Sequence, residues 1–474
     1  MLKKIESMIN KAKNIAETIN SFPGKIRLVS HYDCDGITSA AIMSRALFRE
    51  GKDFRLSFMK QLKEDFIKEL AAGEESLIIF TDLGSGYLDL LGKYLLDGKR
   101  KIIVADHHET EGSEREGLLH LNSMSFGMGD NVSGAGMAYI IARSMNPENK
   151  DLSALAVVGA IGDSQIGSIG SEWGLMGLNK EILKDAQIIN KIKVTKGIRI
   201  WGRYTRPLHK ALEYSLDPYI PGVSESESGS VQFLQEMGIE IKRNDGTWRT
   251  LAELSEEETK RMISGIIKER IRANHENPDW IFGDIYELLD KKNEFRDANE
   301  FATMLNSCGK LGKAYLGVAL CLNENKAFDE VKPIFKEYRK RIGKALSWVE
   351  SHKEVIKEKD NVVFIIVGNK ISEHIISNVA SIMHRSGMLP NKPVFALADV
   401  EGGKEVKVSA RTSDDLVEKG LNLKEIIRSA IKNKEAEGGG HAGAAGATII
   451  KGEEEDFIKN VEKAVKQFYE NKGV

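Results

Sequence analysis

Residues 25–36 read Lys-Ile-Arg-Leu-Val-Ser-His-Tyr-Asp-Cys-Asp-Gly. A short β-rich run passes directly into two acids and a glycine, and an amphipathic helical pattern follows over 37–50. The same grammar recurs twice. Residues 76–80 run into Thr81-Asp82, and residues 101–105 run into Asp106-His107-His108-Glu109. Strand-like runs separated by helical segments predict an α/β fold built on a parallel sheet. The carboxyl ends of such strands face one crevice, so acids far apart in sequence converge. A fourth acid, Asp163, follows the small-residue run 154–162, which suits a tightly packed helix reaching the same crevice.

The 474 residues are enough for two or three domains rather than one. With 41% apolar and 29% charged side chains the chain is not a disordered tail. Its 68 Lys+Arg nearly cancel 70 Asp+Glu, so any nucleic acid must be held in a local basic groove rather than by a global field. Apolar runs such as 154–161 and 362–367 fall well short of the roughly 20 residues that span a membrane. The opening residues carry no leader pattern, so a cytoplasmic location is expected. Cys34, Cys308 and Cys321 lie far apart without a Cys-x-x-Cys, which excludes a zinc ribbon and makes a disulfide framework unexpected.

Periodicity divides the chain into a first α/β domain over 1–217, a helical insertion over 218–292, the rest of the first domain over 293–326, a connecting helix over 327–359 and a smaller C-terminal α/β domain over 360–474. Within the insertion, Ser255-Glu256-Glu257-Glu258 is a capping box, and Met262, Ile263, Ile266 and Ile267 keep helical spacing.

Asp33, Asp35, Asp82 and Asp163 crowded together are untenable without protonation or bound cations. Two divalent ions supply the missing charge. Mixed imidazole and carboxylate donors favour Mn²⁺, with Mg²⁺ as the second choice. Period-two alternation places His31, Asp33 and Asp35 on one side of the chain, leaving Cys34 on the other and outside the ligand set. Taken singly, Asp35 reads as a helix cap, Asp82 as a turn residue and Asp-His-His as exposed polar residues. Four such features at the strand ends of one domain point instead to a metal site.

His31-x-Asp33-x-Asp35-Gly36, Thr81-Asp82, Asp106-His107-His108 and Gly162-Asp163 resemble the four ordered motifs of the DHH phosphoesterase superfamily. Gly438-Gly439-Gly440-His441 resembles the signature of its associated C-terminal domain, and Ser133-Gly134-Ala135-Gly136 and Leu305-Asn306-Ser307-Cys308-Gly309-Lys310 are similar to segments of its RecJ-type nucleases. Lys310 stands where the bacterial pattern has Arg, which loses the bidentate fork and keeps the charge. The insertion is most similar to that of archaeal RecJ-like proteins associated with the GINS replication complex.

The resemblance implies that one ion takes Asp33 and Asp82 with His31, and the other takes Asp35, Asp82, His107 and Asp163. Asp82 then bridges the pair. Such ions lower the pKa of a water and clamp the attacking and leaving oxygens, so no side-chain nucleophile is required. Asp106 is cast as the partner orienting His107, and His108 as a contact to the scissile phosphate or leaving oxygen. Gly438, Gly439, Gly440 and His441 are read as a backbone loop close to a phosphate, and Ser409, Arg411 and Lys310 as further phosphate contacts.

Between 186 and 212, Lys191, Lys193, Lys196, Arg199, Arg203, Arg206 and Lys210 alternate with Trp201 and Tyr204. This pattern suits either a single-strand groove or a solvated linker. His120, His275, His352, His374 and His384 show no partner pattern. The expected activity is a two-metal, single-strand-specific exonuclease of DNA replication or repair. The resemblance implies DNA and 5′ to 3′ polarity. The rival readings are a phosphodiesterase of short oligoribonucleotides or cyclic dinucleotides, and a replisome scaffold without catalysis.

Overall fold

The computed structural model describes residues 2–129, 131–167, 174–215, 218–273, 278–386, 388–431 and 437–472. They form two compact units, one of Met1–Pro207, Thr250–Thr259 and Phe282–Phe335, the other of Leu208–Arg249, Lys260–Ile281 and Lys336–Val474.

The first unit is built on β1 (Ile26–His31), β2 (Phe54–Met59), β3 (Leu77–Thr81), β4 (Lys101–Asp106) and β5 (Leu118–Asn122). All neighbours pair in parallel, in the order β2-β1-β3-β4-β5. Alternate residues feed opposite cores. Leu28, Leu77, Ile79, Ile103 and Ala105 belong to one, and Val29, Ile78, Phe80, Ile102 and Val104 to the other. Each such large side chain contributes about 1.5–3 kcal/mol by leaving water. The strand order reverses between β1 and β3, which opens the crevice at their carboxyl ends. The three expected strands are all present. The helix after β1, Cys34–Arg49, packs with the helices Gly134–Met145 and Ser153–Gly162 on one face. Ser153–Gly162 is apolar on every side, and its side chains from Ser153 to Ile161 are buried, as the small-residue run predicts.

The expected helical insertion over 218–292 differs at its end. Its helices are Glu227–Glu236 and Glu256–Arg272, but Phe282–Leu288 is a strand (β7), pairing antiparallel with β6 (Ile192–Ile198) in the first unit. Ile285, Tyr286, Glu287 and Leu288 are buried in succession, so no period-two signal marks β7. The connecting helix also ends early, spanning Asn325–Ser351, with Val331, Phe335, Tyr338, Leu346 and Val349 buried at helical spacing. The chain then enters β8 (Ile356–Glu358), too short to register as a period.

The second unit carries a mixed sheet of β8, β9 (Val363–Gly368), β10 (Val394–Asp399), β11 (Glu405–Arg411), β12 (Glu437–Gly440) and β13 (Ala444–Ile450). Its order is β12-β13-β11-β10-β9-β8. No described helix is long and apolar enough to cross a membrane.

Candidate metal centre

Every acid expected in the crevice arrives there from a strand end or a helix end. Beyond His31 the chain leaves the strand at once, so the alternation does not carry to Asp35. Instead Asp33 caps the helix Cys34–Arg49, its side chain accepting from the Gly36 N–H at 3.1 Å, and Asp35 sits in the first turn. The helix geometry still turns Cys34 away, with its thiol 3.7 Å from the Val158 carbonyl oxygen.

Asp35 is buried and accepts the N–H groups of Gly134 at 2.6 Å and Ala135 at 3.0 Å, at the start of the helix Gly134–Met145. Ser133 caps that helix. Charge-assisted bonds of this kind are worth about 1.5–3 kcal/mol each and orient the carboxylate. Glycine is required for the approach: a Cβ on Gly134 would stand 2.5 Å from the Asp82 side chain, and one on Gly159 2.4 Å from Asp35 Oδ1. Asp82 itself adopts a left-handed backbone with φ of 58°, a conformation few non-glycine residues tolerate.

The donors gather into groups that share a neighbour. His31, Asp33 and Asp82 bring ligand atoms within 4.8 Å of one another, as do Asp35, His107 and Asp163. Asp82 serves both, with one oxygen 3.5 Å from His31 Nδ1 and the other 3.4 Å from His107 Nε2. His107 Nε2 is also 3.7 Å from Asp35 and 3.6 Å from Asp163. Asp82 Oδ1 and His31 Nδ1 are buried without a hydrogen-bond partner. An orphaned carboxylate oxygen and imidazole nitrogen, aimed into a cluster of acids, are what a divalent cation satisfies. The donor set therefore fits two ions.

Electrostatics in the metal-free protein agree. Burial, with Asp82 and Asp163 alongside, raises Asp35 well above the usual carboxylate range. Asp163 is pushed up to about 6 by burial and by Asp82 and Asp33, against His107. Burial opposes protonation of His31 and His107, yet the surrounding acids raise both well above the ordinary histidine value. Burial would lift Asp82 too, but the His107 and His31 imidazoles beside it hold it below the usual range. Protons thus stand in for the cations.

The expected role of Asp106 is corrected. Its carboxylate takes the His108 ring through Nδ1 at 2.8 Å, the His107 backbone N–H at 2.8 Å and the Ser85 N–H at 2.9 Å. It therefore orients the His108 ring and reaches His107 through the backbone N–H. The His107 ring instead has Gln165 Nε2 3.3 Å from its Nδ1, and the same amide donates to Asp163 at 2.9 Å. Asn179 in turn donates to Gln165 Oε1 at 2.8 Å. Behind His108, Asn122 donates to its carbonyl and to Ser85 Oγ, both at 2.8 Å, and Ser85 Oγ lies 2.9 Å from His120 Nε2. These supporting residues escape a sequence reading, although Asn122 ends a strand as Asp106 does and Gln165 stands two residues after Asp163.

Lys310 ends the helix Ala298–Lys310, which touches the crevice loop directly: Asn306 Oδ1 accepts the Cys34 N–H at 2.9 Å. Much of the basic stretch is neutralised rather than open. Lys191 pairs with Asp290, Lys196 with Asp284, and Lys210 with Glu213 and Glu227, while Arg206 stacks on Trp201. Except for Glu213, these acids come from segments further along the chain, which a local charge count misses.

In the second unit, Gly438–Gly440 form an edge strand on β13 rather than the expected free loop. A Cβ on Gly438 would stand 2.8 Å from Ile427 and Ile431, so packing explains that glycine, whereas Gly439 faces open space. Ser409 pairs with Gly446, and Gly446 with Gly439, forming one row across three strands. Arg411 donates to Ser381 Oγ and to the Ala410 carbonyl, both at 2.7 Å, and has no ion pair among the described residues. Burial and Arg385 lower its pKa to about 10. His441 donates its N–H to Ala444 at 2.8 Å.

Sequence profiles match the DHH family, N-terminal domain, over residues 25–162, the DHH-CID domain over 200–279 and the DHHA1 domain over 359–467. An uncharacterized protein of Methanocaldococcus jannaschii is 30% identical over 473 residues, covering 98% of this chain and 99% of its own. The single-stranded-DNA-specific exonuclease RecJ of Thermus thermophilus is 24% identical over 198 residues, 40% of this chain and 28% of RecJ. The structure of that RecJ with Mn²⁺ aligns with a TM-score of 0.58 at 17% identity, over 97% of this chain and 55% of RecJ, so the chain spans about half of that protein's length. CDC45 of Entamoeba histolytica aligns with a TM-score of 0.63 at 12% identity, over 98% of each chain. With the three family segments in order and a divalent-metal donor set at the switch point of the first sheet, the chain belongs to the DHH superfamily, as a RecJ-like member.

Proposed function

We propose that this protein is a two-metal phosphodiesterase that releases nucleotides from the end of a single strand, 5′ to 3′ on DNA, with RNA as a further substrate, in replication or repair. The observation that carries the reading is Asp82, whose two oxygens face two separate donor groups. His31, Asp33 and Asp82 would hold one ion, and Asp35, Asp82, His107 and Asp163 the other, with Mn²⁺ preferred over Mg²⁺. Bound there, the pair supplies a water of lowered pKa and positive charge for the phosphate.

The chain's own groups do the rest. Asp35, fixed by two backbone N–H groups, holds its carboxylate in one orientation. Asp106 keeps the proton of His108 on Nδ1, which leaves Nε2 to face the scissile phosphate or the leaving oxygen. Lys310, Ser409, Arg411, Gly438, Gly439, Gly440 and His441 are assigned to the strand's phosphates; Arg411, which has no ion pair among the described residues, supports this for an anionic ligand. The experiment is digestion of linear and circular single strands of DNA and RNA with Mn²⁺ or Mg²⁺. Linear DNA should be degraded and circles spared, and efficient cutting of circles would make the protein an endonuclease.

A partner reading accompanies it. Met262 and Ile266 are buried in the insertion's own core, while Trp248 and Ile271 are exposed large apolar groups. We assign that insertion to a contact with GINS. Replacing the exposed Trp248 and Ile271 together by Glu, which leaves β7 and the first unit intact, should abolish co-purification with GINS, and unchanged binding by the folded, active variant would place the contact elsewhere.

A further inference from the structure

We propose that Tyr315, braced by Phe58, is a stacking platform for one base of the strand beside the metal centre; this rests on the strand-hydrolase reading above. Tyr315 opens the helix Ala314–Cys321 and is 58% exposed, among the largest exposures of any big apolar side chain in the first unit. Its ring is nevertheless fixed. Phe58 meets it edge-on, with centroids 5.1 Å apart at 81°, and the phenol donates to the Leu56 carbonyl at 3.2 Å. A large ring held at both ends and open to water offers stacking area at little entropic cost.

The ring is also indexed to the catalytic loop. On β2, Phe58 lies beside Ser30, and Met59 beside His31. With about 4.8 Å between strands and about 3.3 Å per residue, the Phe58 backbone lies roughly 6 Å from that of His31, its ring packing on the face of the sheet opposite to Met59. The helix bearing Tyr315 follows Lys313, whose N–H bonds the Cys308 carbonyl at 2.7 Å. Gly309 in that turn packs so closely on Tyr32 that a Cβ would stand 1.8 Å from its carbonyl oxygen. Tyr315 therefore follows a segment packed against the loop between His31 and Asp33.

Charge selects the occupant. Lys60 follows β2, and Lys310 and Lys313 precede the tyrosine in the chain, so the two segments that carry the rings, 57–63 and 305–316, are basic, with Glu64 and Asp65 next along the first. Basic groups around a ring suit a base with its phosphate backbone, and stacking tolerates any sequence, as an enzyme advancing along a strand requires.

The test is a cycle between ring and base. With Mn²⁺ and an oligothymidylate, Tyr315→Ala should raise KM about five- to hundredfold, Tyr315→Leu should do the same while still covering β2, and Tyr315→Phe, which keeps the ring and its Phe58 contact but loses the bond to Leu56, should recover most of that loss. An abasic site walked along the strand should find one position where the wild type loses the same factor and Tyr315→Ala loses nothing more. Alanine and leucine variants with KM within twofold of wild type, or abasic effects additive at every position, would overturn the platform while leaving the hydrolase reading intact. A wild type that degrades no strand would overturn both.

Discussion

Asp106 Oδ1 and His108 Nδ1 meet at 2.8 Å, and that contact fixes the orientation and the tautomer of the imidazole. Burial would depress this imidazole, but Asp106 more than compensates and raises it above its ordinary value. Burial likewise fails to lift Asp106, which His108 and His107 hold far below the usual range. Asp106→Asn should therefore let His108 take either tautomer, and His108→Gln should remove the group altogether. Each should lower kcat about a hundredfold or more while both ions remain bound. Metal analysis showing a lost ion in His108→Gln would move that side chain into the ligand set.

Gln165 should matter for metal affinity rather than for folding. Its amide lies against His107 Nδ1 and Asp163 together, so Gln165→Leu should weaken Mn²⁺ binding about 10- to 100-fold in calorimetric titration. The melting temperature of the metal-free variant should stay close to that of the wild type. An unchanged dissociation constant would show that packing alone orients His107.

Away from the metals, Glu300 gives the first unit a pH dependence. Burial and nearby Asp297 raise it to about 8 from an ordinary value of 4.5, although the Gly202 and Arg203 N–H groups favour its charged form. The folded pKa lies above the unfolded one. Its contribution is thus fully present below about pH 4.5 and is lost as pH rises through about 8. Between pH 5.5 and 8 the metal-free wild type should lose about 3–6 °C more in Tm than Glu300→Gln, which keeps the accepting oxygen. Parallel profiles for the two proteins would contradict the assignment.

What the sequence makes legible here is what local pattern can encode. β1, β3 and β4 announce themselves as β-rich runs ending in acids, and parallel topology does the rest by bringing Asp33, Asp35, Asp82 and His107 together. Two kinds of information are lost. Consecutive burial hides β7, since Ile285 and Tyr286 carry no alternation. Hydrogen-bond direction is set by backbone turns that composition does not specify, so the partner of Asp106 is His108, and Gln165 emerges only when the helix ending at Gly162 is placed against the sheet. The lysines of 191–210 mislead for a related reason, their acids lying elsewhere in the chain.

The most direct test of the two-metal account is low-temperature electron paramagnetic resonance of the protein loaded with two equivalents of Mn²⁺. Two ions sharing the Asp82 carboxylate are close enough for magnetic exchange, so the wild type should give the spectrum of a coupled pair. Asp82→Ala should lose that coupling together with strand hydrolysis. Uncoupled Mn²⁺ signals of full intensity in the wild type, or a coupled spectrum that survives in Asp82→Ala, would contradict the bridging role on which the account depends.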